Sequence, residues 1–167
     1  MADVNVVLDA NRDAVRELVA CAERCEKNWT TAREPGKWSP SQVVEHVART
    51  LDESANLFSG QPTKFPTLPF FLRPLVKSFL FNRVLRKRAF PKARTNKAMN
   101  PATGPATPAE ARARLEAALA RFDRECRACN QTHGSVVSGA FGTVTAVDYA
   151  DFIAVHTRHH CRQMQSI

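Results

Sequence analysis

The sequence predicts an all-α fold: an antiparallel four-helix bundle with an extra short basic helix. Three observations predict it. Apolar residues recur at helical spacing in four long stretches, and nowhere do they alternate as in a half-buried strand. Two of those stretches open with a hydroxyl residue followed by proline, then Gln or Glu three positions after the cap, at Ser39–Gln42 and Thr107–Glu110. Long helices with a single apolar stripe bury that stripe against one another.

In chain order, residues 9–32 form the first helix, with Val15, Leu18, Val19, Ala22, Cys25 and Trp29 on its stripe; Glu34-Pro-Gly-Lys37 ends it. The second opens at Ser39 with Pro40 in the first helical position, and Trp38 is placed to staple onto Val43. Its stripe is Val44, Val47, Ala48, Leu51, Ala55 and Phe58, with His46 on the flank and Glu53 on the His46 face. A proline-rich loop follows at 60–69. The third, basic helix is expected over 70–88, with Leu72, Leu75, Val76, Phe79, Leu80, Val84 and Leu85 as its apolar side and its cations towards the negative end of the helix dipole. Residues 90–106 carry prolines and glycine without acids and read as a long mobile connection. The helix after Thr107 runs to about Asn130, with Leu115, Ala118, Leu119, Phe122, Cys126 and Cys129 inward. Residues 131–144 read as a loop with three glycines. The last helix starts at Thr145-Ala-Val-Asp148, a capping-box-like entry.

A chain of 167 residues, 44% apolar, fits a single domain over 1–167 with its own core. The apolar stretch near 68–81 is broken by Arg73, Pro74 and Lys77, which excludes a spanning helix. The first residues lack the basic start and apolar run of a signal peptide, and the five cysteines are an odd number. Both lead to the expectation of reduced thiols in a cytoplasmic protein. Cys21 with Cys25 and Cys126 with Cys129 read as small core residues; a four-thiolate zinc site between their helices is the alternative.

The chemistry concentrates near the C-terminus. His156 and His160 are four positions apart, so a helix stacks them on one face, where two imidazoles can share a transition metal ion. Two histidines make a poor site, and the best third ligand is His46, arriving from the second helix. Three neutral imidazoles favour Zn2+, Ni2+ or Fe2+ over Mg2+ or Ca2+ and leave coordination positions open, making the ion a Lewis acid. His159 points elsewhere, His133 sits in a loop, Asp52 and Glu53 read as solvated acids, and Gln163 reads as a surface or core-edge residue.

The net charge of +8 is one-sided. Residues 54–109 hold ten cations and no acid: Lys64, Arg73, Lys77, Arg83, Arg86, Lys87, Arg88, Lys92, Arg94 and Lys97. The segment reads first as a solvated face and second as a rim that attracts an anionic small-molecule substrate. A third reading is a helix lying on an anionic membrane surface. Charge would also suit nucleic acid, but no motif that reads nucleic acid is present.

Three motifs, Trp38-Ser-Pro-Ser-Gln-Val-Val-Glu-His46, Phe141-Gly-Thr-Val-Thr145 and His156-x-x-His159-His160-x-x-Gln163, resemble those of the DinB-like superfamily, over about residues 8–167. The resemblance implies a four-helix bundle of DinB-like type, with His46, His156 and His160 as ligands of a divalent metal, zinc or nickel being common. Better-known relatives are metal-dependent transferases and isomerases that use a low-molecular-weight thiol, and relatives are often homodimers. The functional expectation is a thiol S-transferase or a related metal-assisted hydrolase. The rival is a non-catalytic stress-response or binding protein whose basic segment docks an acidic partner or membrane.

Overall fold

The computed structural model describes residues 3–32, 34–91 and 95–165. Lys92 and Arg94 of the basic segment, and the chain end at Ile167, lie outside the described residues. The chain is mostly helical. Helix α1 (Val4–Arg24) begins earlier than its apolar spacing indicates, because the Asp3 side chain accepts from the backbone N–H of Asn5 and caps it. It also stops earlier, and a 3-10 turn (Glu26–Asn28) follows. The turn carries Trp29 into the core, where its indole N–H donates to the carbonyl of Pro105 at 2.8 Å.

Helix α2 (Pro40–Phe58) has the full reciprocal cap: Ser39 receives the Gln42 N–H, and the Gln42 side chain receives the Ser39 N–H. Every residue of its expected stripe is buried, from Val44 to Phe58.

The basic helix is not one regular helix from Phe70. Phe70–Leu72 is a turn, followed by α3 (Arg73–Val76), a π-helical turn (Lys77–Phe81) and α4 (Asn82–Lys87), which Arg88 ends in the left-handed conformation. The wide turn shifts the phase of the side chains. Phe81, absent from the expected stripe, points into the core at 1% exposure, whereas Leu75 and Phe79 of that stripe are 54% and 70% exposed.

Residues 95–106 are pinned rather than loose. They contain a 3-10 turn (Lys97–Met99), and their carbonyls at Pro101 and Ala102 accept from the Gln42 amide while that of Pro105 accepts from Ser41 as well as Trp29. Gly104 has no room for a side chain, since an added Cβ would lie 2.2 Å from the Ser41 carbonyl oxygen. This strap straddles the start of α2.

Helix α5 (Pro108–Thr132) starts on its Thr107 cap, and the Glu110 carboxylate accepts from the Ala106 N–H at 2.9 Å. The expected loop after it is an antiparallel hairpin, β1 (Ser135–Ser138) with β2 (Gly142–Thr145), in which Val136 pairs with Val144. The described chain is otherwise helical, consistent with the all-α expectation, and this small sheet is an addition to it. Strands of four residues are too short to show alternation convincingly, but their valines and threonines are strand formers. Ser138 stabilises the connection by accepting from the N–H groups of Ala140 and Phe141. Helix α6 (Ala146–Gln165) follows directly, with the Thr145 hydroxyl receiving the Asp148 N–H at 3.0 Å.

Helix α1 packs along α6 and α2 along α5, and α1 also lies against α5. The shared core includes Leu8, Leu18, Leu51, Leu115, Phe122 and Ile153. Phe58 meets Phe122 and Tyr149 edge-on, at 5.4 and 5.7 Å between ring centroids. Asn11 crosslinks two helices inside it, its amide donating to the carbonyls of Val7 and Ala150 at 2.8 Å each. Among the described residues no helix is long and apolar enough to cross a membrane.

Candidate metal centre

His46 stands on α2, and His156 and His160 one turn apart on α6. Their ring nitrogens converge, and one ligand atom from each lies within 4.8 Å of the others. The Nε2 atom of His156 is the hub, 3.3 Å from Nε2 of His46 and 3.1 Å from Nε2 of His160.

The outer nitrogens fix which side of each ring carries the proton. Nδ1 of His46 faces the Met99 carbonyl at 2.8 Å, and a carbonyl can only accept, so Nδ1 is protonated. Nδ1 of His160 faces Oε1 of Gln163 at 2.7 Å and donates to it in the same way. Both rings therefore present a bare lone pair at Nε2 towards His156. His156 can donate to one of them at most, and its own Nδ1 is buried with no hydrogen-bond partner. Proton bookkeeping cannot satisfy the three nitrogens together; a cation at their centre can. This is how the second layer around a metal site prepares its ligands.

The two spacings from His156 fit as well. Ligand nitrogens about 2.05 Å from a zinc-sized ion are about 3.3 Å apart in tetrahedral geometry and about 2.9 Å apart in octahedral geometry. The charge state fits too. Burial holds His46 below the ordinary histidine range and His156 far below it, the neighbouring His160 and His46 adding to the effect at His156. Burial, then His46, brings His160 down to about 3. All three are neutral near pH 7, as ligands must be.

Aromatic rings flank the site. The Trp38 ring lies 4.7 Å from that of His46 and 6.1 Å from that of His160, and its indole N–H donates to Asn100 on the strap. Trp38, expected on Val43, thus stands over two of the three rings. Phe90 packs edge-on against His156 at 5.2 Å.

The other candidates separate from the cluster. Nε2 of His159 accepts from the Gln163 amide at 3.0 Å, and His133 ends α5 on the surface. Asp52 pairs with Arg114, and Glu53 accepts from the Lys64 N–H, so neither supports the histidines. The cysteines form no metal-binding group among the described residues: Cys21 on α1 faces Cys161 on α6, sulfur to sulfur at 2.9 Å, while Cys126 and Cys129 are core side chains of α5. Two contributors were not legible. Gln163 holds His160 and His159 at once; its sequence signals were its place one turn past His160 on the same face and its position closing the His156-x-x-His159-His160-x-x-Gln163 motif. The Met99 carbonyl has no side-chain signature at all.

No curated protein and no solved structure matches the chain. A family model described as the DinB superfamily matches residues 8–164. That span takes in the three histidines, Gln163, the strap and the capped starts of α2, α5 and α6, and on it the chain belongs to the DinB superfamily.

Proposed function

We propose that the chain binds one divalent transition metal ion, Zn2+ or Ni2+, through Nε2 of His46, His156 and His160. The observation that supports this most directly is the conflict of lone pairs at the cluster, which a cation resolves. Membership of a superfamily whose members are often metal-binding supports it too.

On this reading the protein is a metal-dependent transferase using a low-molecular-weight thiol, or a related hydrolase. A bound ion would supply Lewis acidity, which lowers the pKa of a thiol or of water. The residues of the chain do the rest. Met99 and Gln163 hold two imidazoles in the metal-binding tautomer. Trp38 and Phe90 keep bulk water from the rings, and cations of the segment 54–109 attract an anionic substrate. The same reading takes residues 1–167 as one cytoplasmic domain, its four long helices as an antiparallel bundle, and the protein as a homodimer.

The test is metal content on protein purified without a histidine tag, beside His46→Ala and His156→Ala. One ion per chain, lost in both variants with helicity retained, is the expected result. Failure of the wild-type protein to take up added Zn2+ or Ni2+ would sink the reading. Metal uptake without turnover of any thiol and electrophile pair would leave the site standing and remove the transferase.

A further inference from the structure

We propose that the arm running from Phe70 to Arg88 docks on an anionic lipid surface. This does not require the metal site, and it gives the exposed cations of the arm a role besides attracting an anionic substrate.

The arm has two sides. Phe81 and Val84 anchor it in the core at 1% and 0% exposure, and Phe81 stacks on Phe152 with ring centroids 5.0 Å apart. The other side presents Phe70, Phe71, Leu75 and Phe79, which are 54–79% exposed. Four large hydrocarbon side chains within ten residues form a cluster unlike the scattered apolar residues of an ordinary surface. None has a polar tip that water would satisfy. Immediately after them come Arg83, Arg86 and Lys87, all exposed, and none belongs to an ion pair among the described residues. The remaining cations of the arm are spent inside the fold. Arg73 donates to the Leu68 carbonyl, Lys77 to that of Thr143, and Arg88 pairs with Asp151.

Apolar side chains beside free cations match the boundary between acyl chains and anionic headgroups. Other occupants match less well. A second copy on this face would set cation against cation, because a two-fold interface repeats the same residues and residues 54–109 contain no acid. A nucleic acid would use the cations but gain nothing from Leu75, which cannot stack on a base. Docking needs no unfolding, since the exposed side chains already face outward and the anchors stay buried.

The experiment is co-flotation with phosphatidylcholine vesicles, with and without phosphatidylserine, at low and physiological salt. Two variants accompany the wild-type chain: Phe70→Ser/Phe71→Ser/Phe79→Ser and Arg83→Glu/Arg86→Glu/Lys87→Glu. Circular dichroism and metal content check that both keep the fold and the histidine site. The expected result is binding to phosphatidylserine vesicles that weakens with salt. The apolar variant should lose at least about tenfold in binding, and the charge variant should lose the preference for phosphatidylserine. The proposal is overturned if the wild-type protein does not float with phosphatidylserine vesicles, or if both variants float as it does. It is overturned equally by a dimer that the apolar variant dissociates without any vesicle binding, or by tighter binding to a DNA oligonucleotide than to vesicles.

Discussion

Helix α2 and the arm at 70–88 carry comparable apolar patterns, yet only α2 buries its pattern as written. The difference lies at their starts. Ser39, Pro40 and Gln42 give α2 a reciprocal cap, which sets its first residue and hence the phase of every later side chain. The arm has no side-chain cap at Leu72, and a π-helical turn interrupts it. With no local device to hold its phase, packing against α6 decides it, and Phe81 wins the buried place through rings from Phe141 and Phe152. Apolar periodicity therefore locates a helix, while the cap and the tertiary partner decide which side faces in.

The largest expected effect breaks the arm's hold on the core. Phe81→Ala should cost about 3–5 kcal/mol, the usual range for a buried phenylalanine. Urea unfolding would measure it, and a loss below 1 kcal/mol, on the order of a surface change, would mean that the arm is not anchored there. Acid is next, and tests the histidine end of α2. The folded pKa of His160 is brought down to about 3, so the folded state refuses protons that the unfolded chain accepts below about 6.5. Its contribution to metal-free stability is therefore complete above that value and falls with pH, by about 2 kcal/mol at pH ~5. His46→Phe, tested without metal, should lessen that slope. Ser39→Ala removes the device that distinguishes α2, and should cost about 1 kcal/mol. The complement is Leu75→Ser on the outer side of the arm, expected to stay within about 0.5 kcal/mol. A larger penalty there would reveal a partner for that side and sharpen the contrast.

Alkali sets a separate test in α5. Burial, with Cys129 and Asp123 beside it, raises the Cys126 thiol to about 12. An unfolded thiol ionises near 9, so stability falls as pH rises through that interval, and Cys126→Ala should flatten the fall.

What was legible in the sequence was local. The caps at Ser39, Thr107 and Thr145 lie within three residues of their partners, and each is present. His156 and His160 share a helix face by spacing alone, and His46 meets them as expected. Part of what was not legible depends on residues far apart in the chain. The strap looked loose because its prolines and glycine signal irregular backbone, and irregular backbone can be held as firmly as a helix when its carbonyls find donors such as Gln42 and Trp29. The hairpin at 135–145 was hidden by its short strands, and the role of Gln163 by its residue type, since a glutamine one turn past His160 reads equally as a surface residue.

Connectivity gives the histidine cluster one more property. His46 bonds to a carbonyl 53 residues downstream and meets a ring nitrogen 110 residues away. Such closures come late in folding, after their loop entropy has been overcome. No fragment lacking α2, the strap or α6 can present the complete cluster. An ion selective for it would be a ligand of the native state alone, and would raise the midpoint of unfolding in proportion to the logarithm of its free concentration. Metal affinity in this protein would then act as a gauge of global folding, readable from any spectroscopic signal of the bound ion.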